Sequence, residues 1–376
     1  MKKRKAYIIS AVRTPIVPVG GALKNIPVHE MAAEILIEAL RRKNLPKSAV
    51  DAVFVSNAMG GGGNIARLCT LTAGFSNQIL GTTVDRQCVG GLDAIFQAAK
   101  QIQQGEANLI LAGGAESFSL RPERHYPNKW NEKPALLERP PFFPTDDPTL
   151  PLGDAIKTLK KEYSISDKEE YEWAQNSHQK AIAAKKSFAK EIHFIGTSKE
   201  IDPFAREISW ETFKKSEERF GHTHPCNTAP KADGAAFVAI ASEEIVKKYT
   251  LSHCVEIIDG FTLGGDPEKF PILPAEAMKK LLVRNTLSWD NISHIELMEA
   301  YATQAILCAK LSNAPLAKIN PHGGAISRGH PIGASGAVLA THLFHSVENK
   351  SLGMAAIAGS GGLASVLLVK SAQLSH

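Results

Sequence analysis

One cysteine and one histidine stand in surroundings that could make them reactive. Cys88 lies in Val84-Asp-Arg-Gln-Cys-Val-Gly-Gly-Leu-Asp-Ala94, between a strand-like and a helix-like segment. A thiol at a helix N-terminus sees unsatisfied N–H groups and the positive end of the dipole, and both favour thiolate. Gly90 and Gly91 would leave room for a substrate carbonyl to approach the backbone. Against this stands the ordinary role of cysteine as a small buried apolar residue. A lone cysteine does not choose between the two. The second candidate segment, Asn320–Ala337, is rich in glycine and carries His322 and His330. His330, fixed between Gly329 and Pro331, could take the proton from a thiol and return it later. The structural alternative is a histidine that bonds backbone in a tight turn. His322 could be the same, and it lacks the following proline.

Two such groups need a scaffold to bring them together. Ala6–Ala11 reads as a strand, Val28–Lys43 as a helix with Met31, Ile35, Leu36 and Leu40 on one face, and Ala52–Ser56 as a strand. Ala94–Gln103 reads as a helix, and Asn108–Ala112 as a buried strand ending at Gly113-Gly114. Such alternation predicts an α/β domain with a largely buried sheet. From about Ser119 to Phe237 the character changes. Arg121–Pro151 is rich in Pro, aromatic and charged residues without periodicity, and Asp167–Lys190 reads as a long polar helix. This stretch is taken as an insertion over one face of the sheet, either a substrate cover or a structural cap. The last third echoes the first. Gly336 opens an apolar helix Ala337–Phe344, and a strand Met354–Ala358 leads to Gly361-Gly362. The repeated unit predicts two similar halves packed together.

Composition narrows the function classes. A chain of 376 residues, 44% hydrophobic and 22% charged, is ordinary for a globular protein. No run approaches the ~18 apolar residues of a membrane helix. The apolar stretch after the basic start is too short for a secretory signal, which places the protein in the cytoplasm. The net charge of +5 suits a polyanionic ligand, but the basic residues are dispersed and no nucleic-acid partner is expected. Five scattered cysteines without a CxxC pair predict reduced thiols. No His or Cys cluster has ligand spacing along the chain, so no metal is expected.

The segment Gly323-Gly-Ala-Ile-Ser-x-Gly-His-Pro-x-Gly-Ala-Ser-Gly336 resembles the histidine signature of the thiolases, the acetyl-CoA acyltransferases. Arg13-Thr-Pro, Gly63-Asn-Ile-Ala-Arg67, Asp85–Ala94, Gly113-Gly-Ala-Glu-Ser117 and Asp233-Gly-Ala-Ala236 occur in the family's order, and Ser177-His-Gln-Lys-Ala181 resembles its loop-domain helix. The likeness covers essentially the whole chain. It implies an α/β fold of layered αβαβα type with two duplicated halves and an inserted loop domain. The halves would span 1–118 (completed by about 233–248) and 249–376, with a CoA-binding insertion at 119–232. It implies that Cys88 is acylated by a thioester with His330 as its base, and that Glu299 and Ser360 complete the catalytic set. Asn227, Thr228, Ala229 and Ser327 are the implied CoA contacts. Coenzyme A would be substrate and product, with acyl-CoA and CoA the partners, no tightly bound cofactor, and a homodimer or homotetramer as the assembly.

Three departures qualify the resemblance. The family's Asn-Glu-Ala-Phe/Tyr motif is Met298-Glu-Ala-Tyr301 here, and a thioether cannot hold the water that the asparagine positions. The C-terminal Cys-x-Gly-Gly-Gly is Ala358-Gly-Ser-Gly-Gly362, so the thiol that moves the α-carbon proton is missing. Ala229 stands where a pantetheine-binding serine is usual, Thr228 is the nearest hydroxyl, and Asp202–Pro225 lacks the usual adenine-site pattern. Acylation of Cys88 is expected to survive these changes, whereas carbon–carbon bond making or breaking is expected to suffer. A thioesterase-like hydrolase and a non-catalytic CoA-binding paralogue are the competing readings.

Overall fold

Two runs of strands with the same internal order build one mixed sheet. The computed structural model describes residues 4–126, 135–137, 141–144, 152–348 and 350–373. Its first strands are β1 (Ala6–Arg13), β2 (Val17–Pro18), β3 (Ala52–Ser56), β4 (Leu80–Val84) and β5 (Leu109–Glu116). A short ribbon of β6 (Arg124–Tyr126) and β7 (Ala135–Leu137) follows. The remaining strands are β8 (Ala232–Ser242), β9 (His253–Gly264), β10 (Ile292–Leu297), β11 (Leu352–Gly359) and β12 (Leu363–Gln373). The early helices are α1 (Val28–Arg41), α2 (Ile65–Thr72) and α3 (Gly90–Gln104). The middle of the chain holds α4 (Leu152–Glu162), α5 (Asp167–Phe188) and α6 (Trp210–Phe220). Then come α7 (Glu243–Lys248), α8 (Leu273–Arg284), α9 (Ala302–Ser312), α10 (Ala325–Arg328) and α11 (Ile332–Ser346).

The strand order is β10-β11-β12-β9-β1-β8-β5-β3-β4, with β2 added to β8. In the first half β3 lies parallel to β5, β5 antiparallel to β8, and β8 antiparallel to β1. In the second half β10 lies parallel to β11, β11 antiparallel to β12, and β12 antiparallel to β9. The two series match strand for strand, and they meet where β1 pairs with β9. Helices α3 and α11 have 15 residues each, and β5 and β11 have 8 each. The duplication expected from the glycine pattern is therefore present in the topology.

Apolar faces sort the helices into layers. Leu92, Ile95 and Ala98 of α3 share a core with Ala337, Leu339 and Leu343 of α11, against Ile110 and Val238 of one half and Ile257 and Leu367 of the other. Met31, Ile35 and Leu36 of α1 cover the opposite face of the first half, and Met278 and Leu281 of α8 with Ala305 of α9 cover that of the second. This is the αβαβα arrangement. No helix among the described residues is long and apolar enough to cross a membrane.

The central pair explains two corrections. Helix α11 begins at Ile332, so Gly336 lies inside it rather than opening it. A Cβ on Gly336 would sit 2.4 Å from the Leu92 nitrogen, and one on Gly91 would sit 2.8 Å from the Gly333 carbonyl. These glycines serve backbone-to-backbone packing of α3 on α11, not access for a substrate carbonyl. Helix α3 starts at Gly90, so the Gly90-Gly91 pair does open it, four residues ahead of the periodic stretch Ala94–Gln103.

The inserted stretch is anchored to the first strand. The buried Arg13 guanidinium donates to Asp202 at 2.8 Å through both terminal nitrogens and to Glu191 at 2.8 Å through Nε. The polar helix ends at Phe188, slightly short of its predicted end, and begins with a capping box of Ser166 and Glu169. Much of Arg121–Pro151 lies outside the described residues.

Candidate active site

Cys88 sits at the tip of a tight turn. Gln87 has φ of +51°, the left-handed region, and its N–H donates to Asp85 Oδ1 at 3.1 Å. A non-glycine residue held there costs on the order of 1–3 kcal/mol and persists only where the surroundings enforce it. The 3₁₀ turn Gln87–Val89 then runs into α3, leaving Cys88 half-buried. Its Sγ lies 3.2 Å from His330 Nε2, although 242 positions separate the residues. The other ring nitrogen, Nδ1, is 2.7 Å from Ser335 Oγ. Ser335 donates its own hydroxyl proton to the Pro331 carbonyl at 3.0 Å, so toward His330 it accepts. That fixes the Nδ1–H tautomer and turns the Nε2 lone pair toward the thiol. The His330 N–H, donating to Pro230 O at 2.8 Å, holds the backbone of the turn.

Burial decides the resting protonation of this pair. It pushes the Cys88 thiol up to about 12, against the opposing N–H groups of Ser360 and Cys88 itself. It also lowers His330 to about 4. A helix N-terminus supplies about 0.3–1 kcal/mol, less than one pKa unit, so the dipole loses to desolvation. Burial therefore favours a neutral thiol beside a neutral imidazole, opposing the thiolate that the helix N-terminus favours. Alkylation of Cys88 by iodoacetamide without acyl-CoA should then accelerate about tenfold per pH unit between about pH 7 and about pH 9. A rate that levels off below about pH 8 would reveal a preformed thiolate and overturn this assignment.

The pair opens on a cavity of about 220 Å³. Thr228, Ala229 and Tyr301 line one part, Ala358 and Ser360 another, and Phe118, Phe142 and Phe270 add an apolar surface. Arg121 and Lys231 also line it and give it cationic character. The Ser360 and Cys88 N–H groups both favour negative charge on the Cys88 sulfur, so they are the candidate donors for an oxyanion formed on a carbonyl attached there. Ala358 presents only a methyl group. Among the described residues the other four cysteines do not line the cavity; Cys308, for one, donates to Pro271 O at 3.3 Å.

Residues 6–244 match the family model "Thiolase, N-terminal domain", and residues 251–371 match "Thiolase, C-terminal domain". A putative acetyl-CoA C-acetyltransferase VraB of Staphylococcus aureus (strain MSSA476) is 33% identical over 386 residues, covering 97% of this chain and 98% of that protein. The chain belongs to the thiolase family. A Staphylococcus epidermidis protein of the same description (strain RP62A) is 32% identical over 363 residues, covering 91% and 92% of the two chains. Among solved structures, an acetyl-CoA acetyltransferase of Bacillus anthracis superposes with a TM-score of 0.87 at 28% identity, covering 98% and 99%. An Ascaris suum thiolase in complex with coenzyme A reaches 0.89 at 28% identity, covering 98% and 100%. The protein is accordingly an acyltransferase.

Not every residue implied by the thiolase pattern reaches the cavity of this thiolase. Cys88, His330, Ser360, Thr228 and Ala229 do. Glu299 does not. Its buried carboxylate accepts from Ser177 Oγ at 2.7 Å, Asn320 Nδ2 at 2.8 Å and Trp173 Nε1 at 3.2 Å, which ties β10, α5 and the glycine-rich loop together. These bonds give it a positioning role in the wall of the site. Ser327 is also buried away from the cavity, its hydroxyl donating to Gly324 O at 2.7 Å. Asn227 donates to His222 O at 2.8 Å and to Glu170 Oε2 of α5 at 3.3 Å and accepts from the His224 N–H at 2.9 Å, so its amide is spent inside the protein. Met298 is 2% exposed in the core beside α3 and α11, its N–H donating to Ala356 O at 2.9 Å.

Two contributors escaped the residue-level reading. Ser335 had no signal beyond its place in the motif. Glu116, also within a quoted motif, is buried and accepts from Asn57 Nδ2 at 2.7 Å, Ala58 N at 3.1 Å and Gly333 N at 3.0 Å. Burial raises it to about 7, against those bonds. It pins the start of α11, and hence His330, to the loop after β3.

Proposed function

We propose that this thiolase transfers acyl groups to and from coenzyme A through an acyl-Cys88 intermediate. The observation that carries the reading is the 3.2 Å contact of Cys88 Sγ with His330 Nε2, whose lone pair Ser335 aims at the thiol. Sγ attacks the thioester carbonyl while its proton passes to Nε2. The carbonyl oxygen becomes an oxyanion facing the N–H groups of Cys88 and Ser360. Collapse expels the CoA thiolate, which takes the proton from His330 and leaves acyl-Cys88 with a neutral imidazole. Splitting the exchange into two such steps lowers each barrier. Coenzyme A or a CoA-ester enolate is the second nucleophile. With Ala358 and Met298 in place of the family's Cys and Asn, enolate chemistry is the impaired half.

Thr228 and Ala229 line the cavity and are our candidates for contact with the pantetheine arm, and Arg121 and Lys231 bring positive charge that suits an anionic CoA ester. We take residues 119–232 as the CoA-holding insertion between halves at 1–118, completed by about 233–248, and 249–376. We further assign a cytoplasmic homodimer or homotetramer, the location being consistent with five free cysteines.

The test is a panel of acyl-CoA substrates assayed with and without free CoA, following intact mass and products together. The expected result is acylation of Cys88 and acyl exchange with CoA. No acyl adduct under conditions that label an ordinary thiolase would sink the proposal. A second reading, an acyl-CoA hydrolase, is favoured by the methyl group of Ala358 where a proton-moving thiol would be needed. Free CoA and free acid released without acetoacetyl-CoA would identify it.

A further inference from the structure

A second cluster of ligating side chains lies outside the Cys88 cavity, at the free edge of the sheet. Side chains alternate along β10, so His294 and Glu296 project from the same face. The chain leading into the glycine-rich loop runs beside that strand. Ile319 bridges Ile295, and the Asn320 N–H donates to Ile295 O at 2.9 Å. This brings the His322 ring to 5.9 Å from the His294 ring. His294 Nε2 lies 2.6 Å from Glu296 Oε1. One ligand atom from each of His294, Glu296 and His322 falls within 4.8 Å of the others.

A second observation points to a missing partner. Glu296 is 1% exposed, yet its Oε2 has no hydrogen-bond partner. The nearby His342 is 2% exposed, and its Nε2 is equally unpartnered. Leaving a buried carboxylate oxygen unsatisfied costs about 1–3 kcal/mol or more, so such an atom calls for an occupant.

We infer that His294, Glu296 and His322 form a structural site for one divalent transition-metal ion of the zinc class. Two imidazoles and one carboxylate are a ligand set that such ions take, with water completing the tetrahedron. Tetrahedral ligand atoms about 2.1 Å from an ion stand about 3.4 Å apart, so the 2.6 Å contact of His294 with Glu296 opens slightly while the more distant ligand atoms turn inward. The ion would bond Glu296 and clamp the loop that carries His330 onto β10. Arg328, whose guanidinium donates to His322 O at 3.2 Å, opposes a further positive charge. Affinity in the micromolar range is therefore expected rather than that of a cysteine-rich site. His322 follows Glu296 by 26 positions, a spacing that no linear motif contains, so the chain read in order gives no signal for this cluster.

The experiment uses the full chain carrying Cys88→Ser, so that zinc on the thiol is excluded. After dialysis against chelator, it is titrated with zinc chloride by calorimetry and with cobalt chloride by visible absorption. One equivalent of zinc, a raised Tm and a cobalt spectrum of tetrahedral type are expected. Glu296→Gln and His322→Gln should each weaken uptake at least about tenfold, with circular dichroism confirming that they fold. None of the three ligands lines the Cys88 cavity, so Cys88 acylation in the Glu296→Gln single variant should persist. Absence of stoichiometric uptake, or uptake unchanged in both folded variants, would overturn the inference. Neither result bears on the acyl-transfer reading.

Discussion

Replacing Cys88 with alanine is expected to abolish acyl transfer and to leave no acyl adduct on the protein. The neighbouring change His330→Ala should slow acylation by about 10²–10⁴-fold. The size of the histidine effect follows from the resting state of the thiol. With burial raising its pKa, Cys88 would be thiolate in only a small minority of molecules at pH 7 if it ionised unaided. A neutral imidazole 3.2 Å away, itself lowered to about 4, would in the proposed mechanism remove the proton as the sulfur attacks. Without His330 the residual rate should therefore climb with pH, as the free thiolate becomes less scarce. Single-turnover intact-mass measurements from about pH 6 to about pH 9 would read both effects. An acyl adduct surviving in Cys88→Ala would place the nucleophile elsewhere. A His330→Ala rate equal to that of the parent would remove the base from the mechanism.

Restoring the missing thiol should move the other half of the reaction. Ala358→Cys is expected to raise acetoacetyl-CoA formation or thiolysis by about 10²–10³-fold, the scale of a well-placed acid–base group. The position is suited to it, since Ala358 lines the cavity beside Ser360. Adding Met298→Asn should help less than motif comparison alone implies. Met298 is almost wholly buried in an apolar core, and an amide left unpaired there costs about 1–3 kcal/mol. The double variant should melt below the Ala358→Cys single variant even if its oxyanion binding improves. Exchange of the acetyl-CoA α-protons with deuterium, scored beside product formation, isolates the proton step. If Ala358→Cys gains in neither assay, the thiol at that position does not limit the reaction.

The layered fold and the reactive pair were legible at different levels. The strand–helix alternation and the glycine echo are short-range patterns, and they foretold two similar halves that the strand order bears out. Helix ends were less legible. Gly336 looks like a helix opener because glycine breaks helices in water, yet in α11 it is the residue that lets Leu92 approach. Residues chosen through the motif divided by burial. Thr228, Ala229 and Ser360 face the cavity, while Glu299, Ser327 and Asn227 spend their polar atoms inside the wall.

What the sequence alone determined is chemical identity: a cysteine, a histidine framed by Gly329 and Pro331, and the absence of a thiol at position 358. Those facts point to the family and supply the candidates for the nucleophile and for the step that lacks its usual acid. The tertiary structure decided geometry and charge. It brought Cys88 within reach of His330 across 242 positions, oriented the imidazole through Ser335, and set burial against the helix start in the balance that ionises the thiol. The reason is that desolvation and hydrogen-bond direction depend on everything packed around a group, and most of that comes from distant parts of the chain.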